Sequence, residues 1–195
     1  SDIYVSDLDN PMALQVLNDG LVNNPNNWVL QYKLAEFYES NNNLDKALEA
    51  CRQSIASDAP PEVYSLLFRL YFDLGEIENA KAACETLIQK FQNNPEFLSS
   101  AFYNKAILYR KIGSEDFDIA QKKFFSADAI NNKESILFDL EKALDNLKIA
   151  KTNFEDYKYT SENPDPNIDV LIKETRAYIY KIEREWLDRV KALGD

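Results

Sequence analysis

The chain repeats itself, and no other feature limits its fold as much. The block Leu44-Asp45-Lys46-Ala47-Leu48-Glu49-Ala50-Cys51 returns as Ile77-Glu78-Asn79-Ala80-Lys81-Ala82-Ala83-Cys84. Ala47 and Ala80, Cys51 and Cys84, and Tyr38 and Tyr71 are therefore each thirty-three positions apart. Backwards, Ala13 precedes Ala47 by thirty-four positions. Forwards, the block returns as Phe117-Asp118-Ile119-Ala120 with Phe124, and the spacing stretches to forty. A period of this length marks one supersecondary unit stacked on copies of itself, each unable to bury both faces alone. Only four glycines interrupt the chain and the prolines fall between apolar runs, so the units are helical.

Apolar residues at i, i+3, i+4 and i+7 give each helix a stripe to bury. Small residues let neighbouring axes approach to about 8–10 Å; Ala35 and Ala47 serve the first unit in this way, Ala106 and Ala120 the third. Gly75 and Gly113 stand where a unit's first helix should stop, because glycine tolerates a left-handed cap. Helices are predicted at 10–23, 27–40, 44–57, 60–73, 77–92, 95–112, 116–130, 133–159 and 167–193. Asn10 and Pro11 are start signals for the first of them.

This pattern resembles the tetratricopeptide repeat, a helix-turn-helix unit of about 34 residues. The slots of its first helix hold Gln31, Leu34, Ala35 and Tyr38, then Tyr64, Leu67, Phe68 and Tyr71, then Phe102, Lys105, Ala106 and Tyr109. Its second helix wants Ala-x3-aromatic; Ala120 with Phe124 satisfies this, whereas Ala47 and Ala80 are followed by Cys51 and Cys84. The resemblance implies an all-α, right-handed α-solenoid of helical hairpins over residues 1–132: a half-unit at 10–26 and units at 27–59, 60–94 and 95–131.

Residues 133–195 depart from the period. Ile136, Leu140, Ala143, Leu147, Ala150, Phe154 and Tyr157 alternate spacings of four and three, as do Ile168, Ile172, Thr175, Ile179, Ile182 and Trp186. Tyr159–Asn167 holds two prolines and reads as a turn. A long antiparallel hairpin is expected, serving as a cap on the array or, alternatively, as a second partner surface and dimer seam.

The formal net charge of −11 argues against nucleic acid and anionic membrane surfaces as partners. No apolar run approaches the roughly 20 residues that span a bilayer. Cys51 and Cys84 form no CxxC pair, fall on apolar stripes and read as reduced, buried hydrophobes, with a disulfide as the lesser reading. A cytoplasmic protein is the expectation, with a removed N-terminal signal or anchor as the alternative. The chain has no histidine and no phosphate-cradling loop, so no enzyme and no cofactor is expected. Asp165-Pro166-Asn167-Ile168-Asp169 imitates the start of a calcium loop, but Val170 and Arg176 stand where its glycine and last acid belong. No metal is expected.

The resemblance implies that partners lie in a concave groove lined by the first helices. The positions it carries inward include Tyr32, Glu36, Arg69, Phe72, Tyr103, Arg110 and Lys111. Tyr32, Phe72 and Tyr103 are the aromatic anchors; ordinary packing between first helices is their alternative role. The charges run from Glu36, Glu39 and Glu62 to Arg110 and Lys111, with Arg69 between. Chaperone-binding members grip a terminal carboxylate with Lys, Asn and Arg, but Tyr32, Glu36, Tyr103 and Ile107 stand at those places, so that clamp is not implied. The expected function is an adaptor that holds a peptide or helical segment of another protein. The alternative is a structural or assembly subunit of a larger complex, acting through its convex face and C-terminal hairpin.

Overall fold

The fold comes from a computed structural model that describes residues 10–55 and 59–194. It is all-α, with no strand among the described residues. Two compact units divide it, Ser1–Lys90 and Phe91–Asp195. The boundary expected at 132 thus falls inside the second unit.

The first unit holds α1 (Asn10–Asn23), α2 (Trp28–Ser40), α3 (Leu44–Ser54), α4 (Pro61–Asp73) and α5 (Ile77–Phe91). Each start has a local cause. The Asn27 side chain accepts from the Val29 and Leu30 amides, and Pro61 occupies the first turn of α4, where no amide donor is needed. The expected end of the third helix at 57 lies outside the described residues. Ala35, Ala47 and Ala80 are fully buried, as close helix contacts require. Cys51 and Cys84 are buried and form no disulfide, and burial pushes the Cys51 thiol up to about 12.

Two first helices end in the same way. Gly75 has φ +75°, its amide donates to the Phe72 carbonyl and the Glu76 amide to that of Tyr71. Asn42 has φ 55°, its amide donates to the Glu39 carbonyl and the Asn43 amide to that of Tyr38. Both are Schellman ends with the left-handed residue just past the helix. Asn42 and Gly75 are separated by the same thirty-three positions, so the turn repeats with the helices.

The second unit holds α6 (Pro95–Phe124), α7 (Lys133–Thr160) and α8 (Ile168–Lys181), which runs through a π turn (Ile182–Trp186) into α9 (Leu187–Lys191). Here the sequence reading needs correction: the two helices expected at 95–112 and 116–130 are one helix of 30 residues, and Gly113 lies inside it. The reason is phase. From Asn42 to Ala47 and from Gly75 to Ala80 is five residues, about 140° around a helix, so the next apolar stripe is out of line and the chain must turn. From Gly113 to Ala120 is seven residues, two turns to within about 20°. Ala106, Gly113, Phe117, Ala120 and Phe124 then form one continuous seam, and the helix has no cause to stop.

Gly113 is needed for closeness rather than for a left-handed turn. A Cβ there would meet Leu147 Cγ at 2.7 Å, the Ala143 carbonyl oxygen at 3.0 Å and the Leu147 nitrogen at 3.1 Å. α6 packs along α7 at this point, and Phe117, Ile136, Leu140, Leu147, Ile182 and Trp186 close a core of three long helices. The π turn adds one residue to the last helix, so Val190 rather than Arg189 follows Trp186 into that core. The expected long antiparallel pair is present as α7 with α8–α9.

Candidate functional site

Four of the seven expected groove residues lie in the first unit, on the exposed sides of α2 and α4. The apolar stripes of these helices face α3, which turns residues 32, 36, 39, 62, 69 and 73 away from the core. Tyr32 is half-buried and lies beside the Glu36 carboxylate one turn on. Burial first, then that carboxylate, pushes the Tyr32 hydroxyl pKa well up, so the phenol keeps its proton. Lys33 Nζ lies 2.8 Å from Glu36.

Arg69 crosses from α4 to α2. Its Nε donates to Glu39 Oε1 at 2.5 Å and its Nη2 to Oε2 at 2.8 Å, a two-point guanidinium–carboxylate bridge. The bond to Glu39 holds the Arg69 pKa above its usual value, although burial pulls the other way. Glu62 and Asp73 also act on this cluster electrostatically. Phe72 is half-buried and stacks on Phe68 at 5.7 Å between ring centres. The α2–α4 face therefore joins a partly exposed tyrosine to four carboxylates and a bridging arginine. It can hold a cationic chain through charge and hydrogen bonding, and it has no activated nucleophile.

The other three expected residues belong to the second unit and make contacts inside it. Tyr103 packs at 5.0 Å from Tyr157 and 6.2 Å from Phe154, and burial first, with Asp165 next, raises its pKa. Arg110 Nη2 lies 2.6 Å from Glu174 on α8, and its Nε is buried. Lys111 pairs with Glu115 on its own helix at 3.2 Å. Their spacing matched the repeat, but the continuous α6 gives them bundle neighbours that a repeat hairpin would not.

A hollow of about 470 Å³ on α3, lined by Asp45, Leu48, Glu49, Arg52, Gln53 and Glu76, escaped the sequence reading. Arg52 Nε donates there to the Tyr71 hydroxyl at 3.1 Å. No group of metal-binding side chains occurs among the described residues. Asp165 and Asp169 of the calcium-like run instead accept from the Asn167 amide and from Lys158. No described helix is long and apolar enough to cross a membrane.

Comparison with known proteins gives three results. No curated protein matches the sequence. Two crystal structures of MamA have a similar fold at 16% identity each. One covers 94% of this chain and 92% of its own with a TM-score of 0.48; the other covers 96% and 88% with a TM-score of 0.49. The tetratricopeptide repeat model matches residues 30–60, a span that begins inside α2 and ends just before α4. Repeats of this kind are protein-interaction scaffolds, generally without catalysis of their own. With the repeat period and the paired Schellman ends, this match identifies residues 30–60 as a tetratricopeptide repeat.

Proposed function

We propose that this protein is an adaptor whose first unit holds a basic peptide or helical segment of a partner protein on the α2–α4 face. The observation that carries the reading is the composition of that face. Glu36 and Glu62 act on Tyr32, and Glu39 and Asp73 act on Arg69, which spans α2 and α4 beside it. The first unit as a whole has six Lys/Arg against fourteen Asp/Glu, so its field favours the same kind of partner. Tyr32 and Phe72 supply apolar anchors of the type that dominates interfaces. Tyr103 and Arg110, which contact Tyr157 and Glu174 inside the second unit, are supporting residues of that unit in this reading. Cellular photo-crosslinking tests it. A photoreactive residue at Tyr32 or Ser65 should give a discrete adduct with a basic segment, and the same residue at Gln53 on α3 should not. Adducts from Gln53 alone would place the partner elsewhere on the molecule.

A further inference from the structure

The α7–α8 hairpin sorts its charges between inside and outside. On α7 every lysine is committed within the unit: Lys133 donates to the Leu193 carbonyl, and Lys142, Lys148, Lys151 and Lys158 pair with Asp116, Glu183, Glu155 and Asp169. What remains outside is acidic. Glu134, Glu141, Asp145 and Asp156 are exposed, form no ion pair among the described residues and share the face opposite the core seam. Phe138, 65% exposed, and Ile149, 37% exposed, lie between them.

α8 is the opposite case. Its acids Asp169 and Glu174 pair with Lys158 and Arg110, and Glu183 of the π turn pairs with Lys148. The exposed face carries Lys173 and Arg184, with Val170, Ala177 and Tyr180 among them; Lys181 lies over the Phe117 ring at 5.5 Å, and Glu185 of the π turn is exposed beside Arg184. Tyr180 is 62% exposed and Val170 52%. Phe138 and Ile149 are eleven residues apart, about 16 Å along the helix; Val170 and Tyr180 are ten apart, about 15 Å.

We propose that the acidic outer face of α7 in one copy docks on the basic outer face of α8 in a second copy, with Phe138 and Ile149 meeting Val170, Ala177 and Tyr180. Like faces would oppose like charges, so the contact joins unlike faces and leaves one of each kind free for further copies. One helix on one helix falls below the roughly 1,200 Å² of standard interfaces, so the association is weak. The net charge of −11 opposes it at long range, but a Debye length of about 8 Å at physiological salt screens that repulsion more than the contact pairs.

Sedimentation of the whole protein up to about 1 mM, the regime in which contacts worth about 4 kcal/mol populate, is the test. The parent should show a mass that rises with concentration. Glu141→Lys with Asp145→Lys, and separately Lys173→Glu with Arg184→Glu, should each stay monomeric with unchanged helicity, because all four side chains are exposed. An equimolar mixture of the two variants should associate again, since the reversed α7 face now fits the reversed α8 face. Phe138→Ala should weaken the parent's association by roughly tenfold, as loss of an apolar anchor does. A parent that remains monomeric, variants that associate like the parent, or a mixture that fails to associate would each overturn the proposal.

Discussion

The two units place the same sequence slot in two different backbones. Tyr38 is followed four residues later by Asn42, Tyr71 by Gly75 and Tyr109 by Gly113. In the first unit the fourth residue turns left-handed and ends a helix; in the second, a helix passes straight through it. The residue type does not decide this, because Gly75 and Gly113 are identical. The distance to the next apolar stripe decides it, five residues in one case and seven in the other. Turn or continuation is a question of helical phase, and glycine permits either outcome.

Removing the two extra residues is the most drastic way to break the comparison. Deleting Ser114 and Glu115 rotates Phe117, Ala120 and Phe124 by about 200° relative to Ala106 and Gly113. The seam against α7 is then lost, and the second unit should lose its cooperative unfolding transition. Trp28 and Trp186, one in each unit, make this readable by fluorescence in urea. The Trp186 transition should disappear while that of Trp28 remains.

Alanine at the two glycines separates the two roles. Gly113→Ala gains about 1 kcal/mol in helix propensity but forces a methyl against Leu147 and the Ala143 backbone, an overpacking that costs about 1–3 kcal/mol. A net loss in the Trp186 transition is expected. Gly75→Ala has open space around it but must hold φ +75°, a cost of about 1–2 kcal/mol that should fall on the Trp28 transition.

The first unit was legible from its period, its alanines and Gly75, because those features follow from local geometry. Asn42 carries no glycine signal, and only its register with Gly75 marks it. The stretched spacing to Ala120 is legible in the sequence and carries the change of phase. The candidate site divides in the same way. Tyr32, Glu36 and Arg69 lie close enough to act on one another electrostatically. The neighbours of Tyr103 and Arg110 depend on α7 and α8, which no repeat register specifies.

Charge reversal sharpens that division. Arg110→Glu places a carboxylate against Glu174 and should cost about 1 kcal/mol, discounted for the partial exposure of the pair. Lys111→Glu should stay within about 0.5 kcal/mol, as surface changes usually do. A separate, pH-dependent effect is expected at Cys51. Burial raises its thiol from 9.0 to about 12, so the folded state holds this proton more tightly than the unfolded chain does. The resulting stability is complete below about pH 9 and is lost as pH rises towards 12. An alkaline unfolding series should slope less steeply over that window in Cys51→Ala.

The central claim is that equivalent slots turn in the first unit and continue in the second. Backbone Cα chemical shifts measured by NMR test it most directly. The account predicts an unbroken run of helical shifts through Gly113, from Pro95 to Phe124, with breaks at residues 41–43 and 74–76. A break at residues 113–115, matching those at Asn42 and Gly75, would contradict it.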